Sequence, residues 1–175
     1  MGESKQRHFL ELLEPVHDQF ERFCRARVYG EMEYSDLMNE TLLVAFQKVD
    51  SVKSKDVFLS FLCGISVRIL ANENRKKKTE AYPTEEKLLN FSDVNANSEI
   101  DAEVSLLHEA LAMLPKPQKE CIILFEITGF SIKEIAAIQE ASLSAVKQRL
   151  KRGREKLLEI LSYESEYKTG EVKYG

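Results

Sequence analysis

Cysteine and histidine are scarce in this sequence, and neither is arranged as a metal site. The three cysteines (Cys24, Cys63 and Cys121) and the three histidines are scattered over 175 residues, whereas a structural zinc site needs closely spaced pairs of ligands. An odd number of isolated cysteines also argues against a disulfide framework. We therefore expect buried, reduced thiols and neither a metal nor a cofactor.

Long apolar runs and catalytic signatures are absent as well. No stretch approaches the roughly 20 apolar residues that a membrane span requires, and the mixed, charged start MGESKQRHFLELL is unlike a signal peptide. The sequence has no Gly-rich phosphate loop, no HExxH and no GxSxG motif. These absences predict a cytoplasmic protein that is not inserted in a membrane, and nothing in the sequence points to an enzyme.

The most informative stretch is 114–161, which reads as helix, turn, helix, tight turn and long basic helix. Gly129 is expected to close the first helix. Ser131 and Glu134 have the spacing of a capping box for the second helix, and Ser142 is a candidate cap for the third. Together these signals predict a helix-turn-helix whose last helix enters a DNA major groove. The apolar face of that helix is predicted to contain Leu143, Val146, Leu150, Leu157 and Leu161.

Charge supports a nucleic-acid interface on this last helix. From Ser142 to Lys156 the sequence has six cations and one anion, or +5, in a chain whose net charge is −4. A basic helix on an acidic protein is typical of phosphate binding. A solvated basic face on a structural helix is the alternative, and composition alone does not separate the two. The capped short helix that precedes it favours DNA binding.

Three helices are predicted in the N-terminal part. The first covers about 9–27, but Pro15 interrupts it, so Phe9–Leu13 should form a separate element. Ser35 or Asp36 is expected to cap the second helix. The third runs from about 56 to 78, and residues 53–78 contain seven cations and two anions, or +5. Its aromatic residues Phe58 and Phe61 suit a core better than base stacking.

The segment 79–109 differs in composition, with eight acidic residues and one lysine, or −7. Its prolines and asparagines break helical periodicity, as in a linker. We therefore predict an all-α fold of two small helical domains joined by an acidic flexible linker. The predicted limits are 1–78 for the N-terminal domain, 79–103 for the linker, 104–162 for the C-terminal helix-turn-helix domain and 163–175 for a mobile tail.

Three stretches resemble one known family. LPKPQKE…FSIKEIAAIQEASLSAVKQRLKRGREKL resembles the promoter-reading C-terminal domain of bacterial sigma factors of the extracytoplasmic-function (ECF) type. SDLMNETLLVAFQKVD is similar to the family's polymerase-docking helix, and VFLSFLCGISVRILANENRKKK to the helix that reads the downstream promoter element. The sequence departs from the family pattern at several positions. Gln139-Glu140 replaces Leu-Gly, Phe61 replaces Trp, Val67-Arg68 replaces Arg-Asn, and Asn72 replaces Asp.

The glycine of the usual pair tolerates positive φ, so either Glu140 or a neighbour adopts that conformation or the turn is built differently. The resemblance implies a transcription initiation factor that binds core RNA polymerase and reads −10-type and −35-type promoter elements. It also implies an anti-sigma partner, and we expect the free chain to be monomeric. The residues implied for polymerase docking are Asp36, Asn39 and Glu40. Those implied for DNA contacts by the N-terminal domain are Arg68, Asn72, Arg75, Lys76, Lys77 and Lys78.

The C-terminal helix supplies the remaining candidate contacts. Lysine and glutamine read guanine and adenine edges respectively, whereas arginines further along the helix suit phosphates. The predicted base contacts are Ser144, Lys147 and Gln148, and the predicted phosphate contacts are Arg149, Lys151, Arg152 and Arg154. Two other functions fit part of the pattern: a stand-alone helix-turn-helix regulator, which normally dimerises on two half-sites, and a degenerate sigma-like protein that binds only polymerase or an anti-sigma partner.

Overall fold

The computed structural model describes residues 2–80 and 99–168, and all regular structure in these ranges is helical. The N-terminal domain contains α1 (Gly2–Leu13), α2 (His17–Val28), α3 (Tyr34–Lys48) and α4 (Phe58–Glu80), with short 3-10 helices at Glu14–Val16, Val49–Ser51 and Lys55–Val57. The C-terminal domain contains α5 (Glu99–Ala112), α6 (Lys116–Ile122), a π-helical turn (Ile123–Ile127), α7 (Ile132–Ile138) and α8 (Leu143–Lys168). The predicted all-α fold of two helical domains is confirmed. In the described ranges, no helix is long and apolar enough to cross a membrane.

The N-terminal domain follows its sequence pattern closely. Pro15 lies in the 3-10 turn that separates α1 from α2, as predicted. Gly30 has φ 72° just after α2, a conformation that glycine adopts without strain. Phe58 is fully buried at the start of α4, which packs along α3. Cys24, Cys63 and, in the other domain, Cys121 are buried free thiols, as predicted.

The predicted cap of α3 is wrong. The helix begins at Tyr34, and its N-cap is Glu33, whose side chain makes no capping hydrogen bond. A tertiary contact fixes this end instead. The Arg25 guanidinium lies 4.0 Å from the centroid of the Tyr34 ring and donates to the Tyr34 hydroxyl at 2.6 Å. Contacts of this kind override local capping preferences.

The predicted helix-turn-helix signals are confirmed. Ser131 Oγ accepts from the Glu134 backbone N–H while the Glu134 carboxylate accepts from the Ser131 N–H, which completes the capping box. The Ser131 hydroxyl also donates to the Glu134 carboxylate at 2.7 Å, and this bond, together with the one from the Ser131 N–H, lowers the pKa of Glu134. Ser142 Oγ caps α8 by accepting from the Ala145 N–H at 3.1 Å. Gly129 has φ 73° at the end of the preceding helix.

Three expectations for the C-terminal half are wrong: the burial of Leu143, the start of the tail and the end of the linker. Leu143 is 50% exposed because it is the first residue of α8 and projects beyond the core, which begins at Val146. α8 continues through Lys168, since 162–168 contains neither glycine nor proline, so the predicted tail at 163–175 begins inside a helix. α5 begins at Glu99, within the range predicted as linker. Residues 81–98 of that linker and 169–175 of the tail lie outside the described residues.

The two domains pack against each other. α2 contacts the π-helical turn and α5, and α4 contacts α7, so one cluster of buried apolar side chains extends through both domains. Gln19 of α2 donates to the Thr128 backbone carbonyl at 2.9 Å. The π-helical turn was not predicted. Its end is secured by the buried Thr128 hydroxyl, which donates to the Leu124 carbonyl at 2.6 Å.

Candidate nucleic-acid interface

The basic face of α8 is open to solvent. The predicted base-contact residues Ser144, Lys147 and Gln148 are all exposed near the start of the helix. Lys151 and Arg152 follow on the exposed surface, and neither forms an ion pair with any residue that the structure describes. Lysine and arginine side chains without carboxylate partners are free to neutralise phosphates. α8 therefore presents a polar, cationic surface at the end of the helix-turn-helix that would enter a groove.

The other two predicted phosphate contacts already have partners in the protein. Arg154 donates to Glu126 Oε1 through Nη2 at 2.7 Å and lies 5.0 Å from the centroid of the Phe125 ring. Arg149 is half-buried, and its Nη1 donates to Gln139 Oε1 at 2.9 Å. These contacts orient the two guanidinium groups toward the body of the domain.

The Gln139 side chain forms hydrogen bonds with both α6 and α8. This role was not predicted from the sequence. Its carboxamide Nε2 donates to Glu120 Oε1 at 2.9 Å, and its Oε1 accepts from Arg149 and from the Cys121 thiol at 3.2 Å. Burial raises the pKa of that thiol to about 11. The strained backbone predicted for this turn is confirmed at the next residue, since Glu140 has φ 51°. With Gln139 at the position of the family's usual leucine, polar contacts hold this turn in the present chain.

Close packing of α8 on α6 depends on Gly153. A Cβ atom at this buried position would meet Ile122 Cγ1 at 3.0 Å and Ile122 Cδ1 at 3.3 Å. Because the glycine leaves this space free, α8 lies directly against the helix that precedes the turn. This contact sets how closely α8 lies against the core of the C-terminal domain.

A second basic surface lies on α4. All six residues predicted for DNA contacts there are exposed in the structure. Arg68 Nη2 lies 3.8 Å from Glu140 Oε1 of the C-terminal domain, and both side chains are largely exposed. The C-terminal half of this surface lies near the end of α4 and contains three successive lysines. The exposed residues of this surface are Arg68, Asn72, Arg75, Lys76, Lys77 and Lys78.

A different, acidic surface lies on α3. Asp36, Asn39 and Glu40 are exposed on one face, as their i, i+3 and i+4 spacing requires. Leu43 continues the same face one turn later, and it is 60% exposed. A single exposed leucine is common on protein surfaces, so Leu43 is of interest only because it continues the face formed by Asp36, Asn39 and Glu40. Leu43 was not predicted as part of this surface, although its i+7 spacing from Asp36 already placed it on this face.

Comparisons with known proteins agree with this arrangement. Residues 105–157 match the model of the family described as "Sigma-70, region 4". The ECF RNA polymerase sigma factor SigD of Mycobacterium tuberculosis is 30% identical over 168 residues, which cover 90% of this chain and 78% of that protein. The ECF RNA polymerase sigma factor SigW of Bacillus subtilis is 27% identical over 161 residues, covering 85% of this chain and 86% of its own length.

Solved structures show the same fold. The sigma factor RpoE of Bartonella quintana, solved in complex with the anti-sigma factor NepR, aligns with a TM-score of 0.69 at 24% identity and covers 93% of this chain and 98% of its own. CnrH, solved in complex with the cytosolic domain of CnrY, aligns with a TM-score of 0.65 at 24% identity, and the alignment covers 90% of each chain.

The chain therefore belongs to the ECF sigma factors of the sigma-70 family. It is a transcription initiation factor that acts with core RNA polymerase, and it is not an enzyme. The stand-alone regulator considered above does not explain a match that extends over both domains.

Proposed function

We propose that α3 docks on core RNA polymerase, that α4 contacts the −10-type element and that α8 reads the −35-type element. The observation that supports this division best is the separation of charge. One acidic and polar face lies on α3, whereas two cationic faces lie on α4 and α8. An acidic surface would repel DNA but attract a basic protein surface. The division of labour between the N-terminal domain and the C-terminal helix-turn-helix domain belongs to this proposal.

Docking would use the α3 surface formed by Asp36, Asn39, Glu40 and Leu43. Charged residues around an exposed apolar side chain match the usual anatomy of a protein interface, in which a central anchor is surrounded by polar groups. The acids would steer the approach to a basic partner surface, while Leu43 would supply the desolvated contact. Base readout would fall to Ser144, Lys147 and Gln148, and phosphate contacts to the cations that follow them.

We further propose that the protein acts in the cytoplasm and is a monomer when free. An anti-sigma factor would bind it there. Both structural neighbours were solved with anti-sigma or cytosolic partner domains. Such a partner would compete with polymerase and DNA for the surfaces on α3, α4 and α8.

The polymerase assignment is tested by charge reversal on α3. Asp36→Arg and Glu40→Arg should each weaken binding to core polymerase by roughly 2 kcal/mol or more, as expected for central interface residues. Leu43→Ala should have a comparable effect without changing charge. Glu11→Arg is the matched control, since Glu11 is an exposed acid on α1, a helix that contains none of the proposed docking residues. Core affinity that is unchanged in all three α3 variants, with helix content retained by circular dichroism, would show that polymerase docks elsewhere.

A further inference from the structure

The basic residues of α8 differ in whether a carboxylate neutralises them. Three exposed cations near the start of the helix form no ion pair with any residue that the structure describes: Lys147, Lys151 and Arg152. The next two cations are paired. Arg154 Nη2 lies 2.7 Å from Glu126 Oε1. Lys156 Nζ lies 3.3 Å from Glu159 Oε2. Among the described side chains, the unpaired positive charge of α8 therefore ends at Arg152.

Glu126 occupies one side of the Arg154 guanidinium. Its Oε1 accepts from Arg154 Nε at 3.0 Å and from Nη2 at 2.7 Å. These two N–H groups form one of the sides with which arginine makes paired hydrogen bonds to a carboxylate or a phosphate. The Phe125 ring centroid lies 5.0 Å from Arg154 Cζ, so a cation–π contact adds to the ion pair. Arg154 thus already has an anionic and an aromatic partner within the protein.

The carboxylate belongs to a segment that is packed into the domain. Glu126 and Phe125 lie in the π-helical turn Ile123–Ile127, a rare conformation that is frequent at functional sites. Ile123 and Leu124 of the same turn are fully buried. Because the turn is anchored in the core, the fold sets the position of Glu126 beside α8.

Arg154 lies on the same side of α8 as two of the unpaired lysines. It follows Lys147 by seven positions and Lys151 by three, a spacing that aligns side chains along one face of a helix. A free Arg154 would extend this row of cations and would bring one more positive charge to the DNA backbone. The Glu126 carboxylate neutralises that charge.

The ion pair has more influence on DNA binding than on folding. The side chains of Arg154 and Glu126 are 50% and 49% exposed, and exposed ion pairs contribute little to stability, because water screens them. Each cation that reaches a phosphate, however, adds about 0.9 to the slope of log affinity against log salt. A carboxylate that competes with phosphate for one arginine therefore changes DNA affinity while it hardly changes stability.

We propose that Glu126 is a positioning residue that withholds Arg154 from the DNA backbone. It confines the phosphate contacts of α8 to the cations up to Arg152, and so it limits binding that is independent of sequence. This inference rests on the proposed function of α8 and narrows it, since it removes Arg154 from the phosphate contacts predicted for that helix.

Glu126→Gln tests this role in the full-length chain. The substitution preserves the shape of the side chain and removes its charge, so Arg154 becomes available to phosphate. The probe is a fluorescent DNA duplex of random sequence, titrated at several salt concentrations and followed by anisotropy. We expect affinity at low salt to rise about two- to five-fold and the slope of log affinity against log salt to steepen by about one unit. Loss of a merely structural contact would leave affinity unchanged or lower it, without a steeper slope.

A second substitution shows whether the effect passes through Arg154. In an Arg154→Ala background, Glu126→Gln should change neither the affinity nor the slope. If it still tightens binding there, the carboxylate repels DNA directly and the positioning role is wrong. Glu103→Gln is the matched control for charge, since Glu103 is an exposed acid on α5, a helix that contains none of the proposed DNA contacts. It should leave both quantities at their wild-type values, and circular dichroism checks that all variants retain their helix content.

The outcomes separate this inference from the proposed function. If the wild-type chain and Glu126→Gln bind DNA with equal affinity and slope while Arg152→Ala weakens binding, the inference is wrong and α8 remains a DNA reader. If Arg152→Ala has no effect, or if the wild-type chain shows no salt-dependent binding, α8 is not the DNA surface and both proposals are wrong.

Discussion

Two sets of basic side chains in this protein have opposite environments. Arg27 and Lys119 are buried between the domains and paired with carboxylates, whereas Lys147, Lys151 and Arg152 are exposed on α8 without an ion-pair partner in the part of the chain that the structure describes. The first set is neutralised by the protein itself. The second remains available for an external polyanion.

The difference shows that cationic residues in a DNA-binding protein do not all form one DNA footprint. Burial makes a charge dependent on one specific partner, since an unpaired buried ion is costly. An exposed charge interacts only weakly with neighbouring side chains, but it can bind phosphate, and that binding depends strongly on the salt concentration. The experiments below test this division, beginning with the largest expected effect.

Adjacent positions on α8 give the sharpest contrast between burial and exposure. Val146 is fully buried and Lys147 is exposed. Val146→Asp should lower the free energy of unfolding by about 3–5 kcal/mol, because it places an unpaired carboxylate in a small core. Lys147→Asp should change stability by less than about 0.5 kcal/mol but weaken DNA binding. Thermal melts and fluorescence anisotropy with duplex DNA measure both effects. Ile135→Asp should behave like Val146→Asp, and a soluble Val146→Asp variant with wild-type melting temperature would mean that α8 packs on another face.

The buried and exposed lysines of the C-terminal domain provide the next contrast. Lys119→Ala removes the principal partner of Glu31 and should cost about 1–3 kcal/mol, less than a fully buried pair because Glu31 is partly exposed and keeps other cations nearby. Lys133→Ala, at an exposed position of α7, should be nearly neutral. Chemical denaturation followed by circular dichroism compares the two. Equal stability of both variants would contradict the structural role given to Lys119.

Much of the helix-turn-helix was predictable because its signals are local. A capping box joins residues three positions apart and Ser142 acts on the next turn, so Ser131, Glu134 and Ser142 were identified correctly from the sequence. Positive φ near Glu140 followed from the absent glycine. Such features depend on neighbours within one helical turn, where sequence spacing and spatial proximity coincide.

The buried ion pairs between the two domains were missed because their partners are distant in sequence. Arg27 and Glu120 are separated by 93 positions, and Glu31 and Lys119 by 88. One signal was available: Arg27 follows Phe20, Phe23 and Cys24 at helical spacing, so it falls on the apolar stripe of α2. A cation on an apolar stripe predicts a buried pair, but the sequence does not identify its partner.

The exposed polar and basic residues of α8 are expected to differ in whether they read bases or bind phosphates. Gln148→Ala should relax the preference at one base pair and cost roughly 1–3 kcal/mol on the best site, with little effect on other sequences. Arg152→Ala should weaken all sequences about equally and reduce the slope of log affinity against log salt by roughly one unit. Binding isotherms on promoter variants at several salt concentrations distinguish the two patterns. If the patterns are exchanged, α8 is rotated in the groove relative to our assignment.

The smallest expected effect concerns a titratable group at the domain boundary. His108 of α5 is half-buried, and its ring centroid lies 5.4 Å from that of Tyr29 at the end of α2. Burial, with a smaller contribution from Arg25, lowers the pKa of His108 below its ordinary value of 6.5. The nearby Glu109 carboxylate accepts from the Tyr29 hydroxyl at 3.5 Å. The histidine is therefore neutral in the folded protein at pH values where the unfolded chain already binds a proton.

Since the unfolded state binds more protons in that interval, stability should fall as the pH decreases through about 6.5. The carboxylates whose pKa is lowered, Glu31 and Glu134, lose their contribution only at more acidic pH, below their ordinary values. Melting temperatures measured from about pH 7.5 to about pH 5.5 therefore isolate the histidine. We expect a small decrease in the wild-type chain, a flatter profile for His108→Gln, and no such flattening for His8→Gln at an exposed position of α1. If the two variants had identical profiles, protonation of His108 would not be coupled to folding, and the contact between α5 and α2 would be insensitive to pH in this range.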